Sequence, residues 1–464
     1  MASRTEKDSM GEMQVPAGAY YGASTARAVE DVPFSARRFS RRFLAALGRV
    51  KAAAARANGA LDVLPQDKAR AIEAAALEVA EGRWDEHFVV DVFQTGSGTS
   101  TNMNANEVIA SRAIELLGGR PGDHGRVHPN DDVNACQSTN DVFPTAMHVA
   151  AMDALEHTTL PALRELATAF EERAEDTAAV VKAARTHLQD AVPITLGQEL
   201  SGYAAVVRQG IARLEGVRPR LAELAIGGTA AGTGLNAHPE FAARVVAELR
   251  TLTGHLFRCA ANPFEAMQNR DACLELSGAL KTVAVGLFKI ANDLRLLASG
   301  PRTGLSEIEL PATQPGSSIM PGKVNPVVPE AINMVAAQVI GNDAAITVGG
   351  LNGSLDLNVM MPVIADNLLE SLEILGSGAR VFAEKCVVGI QPNHERCLQM
   401  AERTAALVTA IAPIVGYDAA SEIFKTALRE DVSIRQAILD AGTIESAKLD
   451  EILDLLALTR GRRA

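Results

Sequence analysis

The feature that most constrains this chain is a set of long segments that are apolar on nearly every helical face. "LELSGALKTVAVGLFKIANDLRLLA" (Leu274 to Ala298) and "AINMVAAQVIGNDAAITVGG" (Ala331 to Gly350) leave no broad hydrophilic stripe for water. Comparable runs contain Leu155, Leu163, Leu166 and Phe170, then Val207, Ile211, Leu214, Leu221 and Leu224, then residues 358–388. Helices this long and apolar must be covered by other helices. Five of them predict a long bundle, and their all-round apolarity predicts that neighbouring subunits cover part of it. Pro219 predicts a kink in the second run. Abundant Ala, with aromatics at only 4%, favours closely packed helices over a β-sandwich.

The expectation is therefore an all-α chain of three domains. Residues 1–136 read as a mixed, mainly helical domain, with helical patterns over Phe39–Asn58, Gln66–Glu81 and Met103–Leu117. Within it, "VPAGAYYGASTARAVEDVPFS" reads as an extended arm or short hairpin. Residues 137–393 hold the central long-helix bundle, and residues 394–464 a small C-terminal helical domain.

Lys and Arg total 44 against 56 Asp and Glu, a net charge of −12. Without a basic tract, such a chain is not built for nucleic acid. The charged N-terminus lacks the apolar core of a secretory signal. No stretch reads as the roughly 20 apolar residues of a membrane span, so no membrane partner is expected. The five cysteines (Cys136, Cys259, Cys273, Cys386 and Cys397) form no CxxC pair. They predict reduced thiols in a cytoplasmic protein, not disulfides or a zinc site.

Chemistry should sit where constrained polar loops interrupt the helices. "QTGSGTSTNMNANE" (Gln94 to Glu107) puts Gly and hydroxyl residues before a helix, where Ser or Thr can cap and amides can face an anion. "VHPNDDVNACQSTND" (Val127 to Asp141) carries a histidine among turn formers; Gly125 breaks the helix that a His124/His128 metal pair would need, so no metal is expected. "RTHLQDAVPITLGQE" (Arg185 to Glu199) places His187 after a helix. "GGTAAGTGLNAHPEF" (Gly227 to Phe241) is a glycine-rich connection. "QPGSSIMPGKVNPVVPE" (Gln314 to Glu330) holds Ser317, Lys323 and Asn325 among prolines. It is not a Walker loop: five residues separate Gly316 from Gly322, and Val324 follows Lys323. Lys323 also lacks the surroundings of a Schiff-base lysine. A serine, a lysine and an amide on a stiff backbone can instead clamp a carboxylate and present a hydroxyl to it.

In this order, the loops resemble the fumarase/aspartase superfamily, whose signature "GSSIMPGKVNP" (Gly316 to Pro326) matches; the resemblance covers nearly the whole chain. "QTGSGT", "HPND", "RTHLQDAVP", "GQELSGY" and "GGTAAGTGLNA" resemble class II fumarase, which hydrates fumarate to L-malate without a cofactor. "QSTND" (Gln137 to Asp141), with Thr139 where fumarases usually have a second serine, is the aspartase spelling, as in part are "LNVMMPV" and "KVNPVVPE". Aspartate ammonia-lyase is thus an alternative; a non-catalytic helical protein and a dicarboxylate-binding module are others. The resemblance implies that Ser317 is the base acting on the carbon beside a carboxylate. It implies that His187, paired with Glu330, handles the water. Ser97, Thr99, Ser138, Thr139, Asn140, Thr186, Ser318, Lys323 and Asn325 would bind the substrate carboxylates. His128, Asn130 and Asp131 would form a second dicarboxylate site. It further implies a homotetramer with a tetrameric helical core, in which three chains meet at each active site.

Overall fold

The computed structural model describes residues 2–460. The chain opens with an antiparallel hairpin, β1 (Ser3–Asp8) and β2 (Gly11–Pro16). Five helices follow: α1 (Ala23–Asp31), α2 (Arg41–Ala60), α3 (Gln66–Ala80), α4 (Thr99–Leu116) and α5 (Thr139–Ala154). A π turn, Leu155–Thr159, joins α5 to α6 (Leu160–Asp176). A second hairpin, β3 (Val181–Thr186) and β4 (Gln189–Thr195), leads into α7 (Leu196–Leu221). The short strands β5 (Glu223–Leu224) and β6 (Arg258–Cys259) pair in parallel around α8 (Phe241–Thr253). Next come α9 (Pro263–Gln268), α10 (Asp271–Leu297), α11 (Val327–Leu351) and α12 (Met361–Lys385). Six short helices, α13 (His394–Arg403) through α14 (Val408–Val415), α15 (Tyr417–Glu430), α16 (Ile434–Asp440), α17 (Ser446–Ile452) and α18 (Leu455–Leu458), complete the described chain. The fold is helical, as the apolar periodicity predicts.

The chain forms two compact units. The first comprises the residues up to Pro161, Ala212–Thr282 and Ala337–Gly376; the second comprises Ala162–Ile211, Val283–Ala336 and the residues from Ser377. All five boundaries fall inside the long helices α6, α7, α10, α11 and α12. In the first unit, α2 packs against α3, α5 and α8. Its Ala-rich surface permits close approach. At Gly48 an added Cβ would stand 2.7 Å from the Ala76 carbonyl oxygen of α3, inside van der Waals contact. Phe39, Phe43 and Phe143 stack at centroid distances of 4.3 and 4.9 Å between α2 and α5. In the second unit, Phe170 packs edge-on to Tyr203 and Phe382. The C-terminal helices enclose their own core of Ile411, Ile423, Ile434, Ile438 and Leu449.

Two expectations change. The segment expected to be an extended arm contains α1, and the hairpin lies upstream of it. The cause is non-local: the buried Glu107 carboxylate of α4 accepts from the amides of Gly22, Ser24 and Thr25 at 2.8, 2.9 and 3.2 Å, capping α1. Second, α11 is long and apolar enough to cross a membrane, contrary to the reading that no segment reaches that length. Its polar residues break the apolar run without lowering the average enough. Two of them are satisfied within the first unit: Asn342 donates to Ser371 Oγ at 3.0 Å, and Asp343 accepts from Ser277 Oγ at 2.8 Å. Only 33% of the most apolar stretch of α11 is buried within the chain, and Met334, Val348 and Leu351 are exposed.

Candidate active site

The residues singled out by sequence fall into two sets. Ser97, Thr99, Ser138, Thr139, Asn140, His128, Asn130 and Asp131 belong to the first unit; Thr186, His187, Ser317, Ser318, Lys323, Asn325 and Glu330 belong to the second.

In the first unit the loop before α4 is shaped by two glycines. Gly98 is the N-cap, at φ +81°, and a Cβ there would stand 2.2 Å from the Phe143 ring; at Gly96 it would meet the Val359 carbonyl oxygen at 1.7 Å. The expected Ser/Thr cap is absent, because the left-handed glycine occupies that position. Gln94 substitutes: its Oε1 accepts from the Thr101 amide at 2.9 Å and its Nε2 donates to Thr101 Oγ1 at 2.7 Å. Ser97 and Thr99 are thereby held with their hydroxyls 2.8 Å apart.

The α5 N-terminus carries Ser138, Thr139 and Asn140. Ser138 and Asp141 form a capping box. Asn140 Nδ2 donates to the Ala230 carbonyl at 2.8 Å, and Thr139 Oγ1 accepts from Asn102 Nδ2 at 3.0 Å. Asp141, fully buried, also accepts from the Gly227 and Thr229 amides at 2.9 Å each, tying the glycine-rich connection to α5. Burial pushes its carboxyl up to about 7, against the pull of these amides. Lys51, equally buried on α2, donates to Asn134 Oδ1 at 2.9 Å and Gln137 Oε1 at 3.0 Å. Burial brings its ammonium down to about 7. Sequence reading missed this supporting network; its signals were a lysine inside an alanine-rich helix and the asparagines of "TNMNANE".

His128, Asn130 and Asp131 lie together on a π turn, Pro129–Val133. His128 Nδ1 accepts from the Asn130 and Asp131 amides at 3.3 and 3.1 Å and lies 3.4 Å from the Asp131 carboxylate. His124 is drawn instead to Glu6, with its Nε2 at 3.1 Å from the carboxylate. That hydrogen bond raises the His124 pKa.

In the second unit Thr186 ends β3 and His187 occupies the hairpin tip, not the end of a helix. His187 and Leu188 both have positive φ, +56° and +59°, as a two-residue type I′ turn requires. The tip is exposed, Leu188 at 72%. The hairpin base is anchored by buried charge. Glu307, fully buried, faces Arg185 at 3.0 Å and Lys182 at 3.2 Å, while Lys182 also reaches Glu199 at 2.7 Å. Two cations thus meet two carboxylates, the balance a buried ionic cluster needs.

The signature loop is closed on itself. The Gly316 amide donates to the Lys323 carbonyl at 3.0 Å, and Asn325 Nδ2 donates to the Gly316 carbonyl. Gly316 must be glycine, since a Cβ would stand 2.4 Å from the Lys323 oxygen. Inside the loop, Ser317 Oγ accepts from two backbone amides, Met320 at 2.9 Å and Ile319 at 3.2 Å. Ser318 and Lys323 are exposed. Lys323, Asn325 and Glu330 line a cavity of about 890 Å³ together with Arg295 and Asn292. Arg295 lies 3.9 Å from Glu330 and donates to Asn292 at 3.0 Å. No hydrogen bond joins His187 to Glu330 among the described residues.

Comparison with known proteins identifies the family. A lyase family model matches residues 11–341, and a model of the fumarase C C-terminus matches residues 407–460. A class II fumarate hydratase of Halobacterium salinarum is 55% identical over 456 residues, covering 98% of this chain and 97% of that protein. One from Mycobacterium tuberculosis H37Rv is 52% identical over 465 residues, covering 99% and 97%. The crystal structure of a class II fumarase from Schistosoma mansoni superimposes with a TM-score of 0.97 at 38% identity, covering all of both chains. The chain therefore belongs to the lyase family that the signature loop marks, and it is an enzyme of that class. Within it, the chain falls among the class II fumarate hydratases; the ammonia-lyase alternative is not favoured.

Proposed function

We propose that this chain hydrates fumarate reversibly to L-malate by proton abstraction from C3 through an aci-carboxylate. The observation that carries the reading is the pair of amides on Ser317 Oγ. A serine hydroxyl is a weak base, and two donors aimed at its oxygen lower the cost of the alkoxide. In the malate-to-fumarate direction the Ser317 alkoxide takes the C3 proton. The electron pair moves into the neighbouring carboxylate, which carries two negative charges. Lys323 and Asn325, on the same stiff loop, stabilise that charge where it develops. The C2 hydroxyl then leaves with a proton from His187, and the double bond forms. The substrate supplies its own electron sink, so no cofactor takes part. Ser97, Thr99, Ser138, Thr139, Asn140, Thr186 and Ser318 hold the two carboxylates. His128, Asn130 and Asp131 form the second dicarboxylate site.

We read the assembly as a homotetramer in which three chains complete each site. The exposed apolar face of α11 and the exposed His187–Leu188 tip support this, since both offer surface that another chain can cover. Another chain's Glu330 is then the partner that fixes the His187 tautomer. The five free thiols fit a cytoplasmic location. The reading is tested by incubating the protein with fumarate in water and in ammonium buffer. Malate in both is expected; aspartate formation identifies the ammonia-lyase instead, and neither product leaves a binding module.

A further inference from the structure

Away from these loops, three metal-ligating side chains of the first unit converge. Asp153 near the end of α5, His157 in the π turn, and His255 just after α8 bring their ligand atoms within 4.8 Å of one another. About 100 residues of chain separate His255 from the other two. The π turn carries its own signal, since such single-turn insertions recur at functional sites. The His157 and His255 rings lie 5.4 Å apart, and His157 Nε2 is 3.9 Å from Asp153 Oδ1. His255 Nε2 is buried and has no hydrogen-bond partner, an arrangement that costs free energy unless something satisfies it. We propose that Asp153, His157 and His255 form a site for a divalent transition metal of the zinc class, which ties the π turn to the turn after α8.

The donor set suits such an ion. Two imidazoles and one carboxylate give borderline ligands preferred by zinc and its neighbours over calcium or magnesium. Tetrahedral zinc needs ligand atoms about 3.4 Å apart at metal–ligand distances near 2.1 Å. Small side-chain rotations close the 4.8 Å set to that spacing. Water completes the shell on the His157 side, where that side chain is 61% exposed. The surrounding cations set the limits. Arg42 holds Asp153 Oδ2 and also Thr158 Oγ1 at 2.8 Å, so it orients the carboxylate from behind. Arg49 reaches Oδ1 only at 3.4 Å, and that is the contact the ion replaces. Two nearby arginines weaken binding, so the site is weaker than an all-anionic one. The neighbouring Glu156 is engaged by Arg218.

The test is equilibrium dialysis of the full-length protein against zinc in a non-chelating buffer, with thermal unfolding in parallel. One zinc per chain is expected, with a zinc-dependent rise in Tm. His157→Ala and His255→Gln should each weaken binding at least about tenfold and remove the rise. His157→Cys, which restores a ligand, should keep both. Because His157 is exposed, its replacement does not endanger folding. The double variant His124→Ala/His128→Ala should bind as the wild type does. The proposal is overturned if the wild type binds no zinc at about 100 µM, the affinity of a very weak site. It is equally overturned if the His157 and His255 variants bind unchanged, or if binding follows His124 and His128 instead.

Discussion

Replacing Ser317 by alanine separates catalysis from folding. Its Oγ accepts from the amides of Met320 and Ile319 at 2.9 and 3.2 Å. A hydrogen bond to a charged group contributes about 1.5–3 kcal/mol, so two stabilise the alkoxide by about 3–6 kcal/mol over an unassisted one. That equals about two to four pKa units. Removing the base then costs turnover about 10²–10⁴-fold, the range for a positioned proton-transfer group. The same change should barely affect stability. Ser317 is only partly buried, its donors lie on an exposed loop, and such positions cost less than about 0.5 kcal/mol. The assay is steady-state fumarate absorbance, with calorimetric binding of a non-reacting dicarboxylate and urea unfolding alongside. The expected pattern is lost kcat, retained inhibitor binding and an unchanged unfolding midpoint. The amides can be probed separately: Ile319→Pro deletes one donor and should lower kcat about ten- to a hundredfold, the worth of one such bond. A fall of less than about tenfold for Ser317→Ala would refute the base assignment. Full activity in Ile319→Pro would refute the amide activation.

Four further perturbations address the supports. On the proposed pairing of His187 with another chain's Glu330, Glu330→Gln should lower kcat and change the pH–rate profile; an unmoved profile would separate the two residues. Glu307→Gln leaves Lys182 and Arg185 facing one carboxylate fewer and should cost about 3–5 kcal/mol by denaturant unfolding; a cost below about 1 kcal/mol would show the cluster to be well hydrated. Gly98→Ala puts a Cβ 2.2 Å from Phe143 at φ +81° and should raise KM together with a stability loss of about 1–3 kcal/mol; wild-type KM would show that the loop tolerates rearrangement. For the Glu6–His124 pair the signs differ: the raised His124 pKa gives stability that is full below 6.5 and lost as pH rises through the folded value. The lowered Glu6 pKa, set first by its bond to His124, gives stability present above 4.5 and lost as pH falls through its folded value. Their joint contribution is therefore fullest between 4.5 and 6.5, and His124→Asn should flatten the Tm–pH curve around that window.

The long helices were legible because their apolar pattern demands burial on every side, and that demand does not depend on partners distant in sequence. Their ends lie within a few residues of the apolar runs; Pro219 stands two residues before the end of α7, where the helix stops in any case. What escaped was non-local. Helix α1 starts where Glu107 of α4 supplies a carboxylate to its amides, and nothing in residues 20–31 announces this. The His187 turn was hidden for a related reason. A His-Leu pair at positive φ is a poor local choice, sustained by the strand pairing on either side and the ionic cluster below it. The signature loop was legible in kind, since Pro and Gly announce stiffness. The two amides on Ser317 Oγ were not visible, because only the folded backbone aims them.

Both units use one physical device to hold a polar loop still: a charge buried beneath it. In the first, Lys51 and Asp141 are fully buried: Lys51 donates to Asn134 and Gln137 just before Ser138, Thr139 and Asn140, and Asp141, just after them, accepts from the glycine-rich connection at Gly227 and Thr229. In the second, the buried Glu307 holds Lys182 and Arg185 of the hairpin strand that leads to Thr186 and His187. Buried ions are poor sources of net stability, since desolvation offsets most of their attraction. Their consequence is geometric. A loop that moved would leave a bare charge behind, so the alternatives to the observed arrangement are raised in energy far more than the arrangement itself is lowered. On the proposed function, substrate carboxylates would then meet hydroxyls and amides that need not reorganise, which is the condition under which such donors act on a developing charge. In sequence only the lysine looks misplaced, a charge inside an alanine-rich helix. A charge that breaks a burial pattern is thus a pointer to the loop it stabilises.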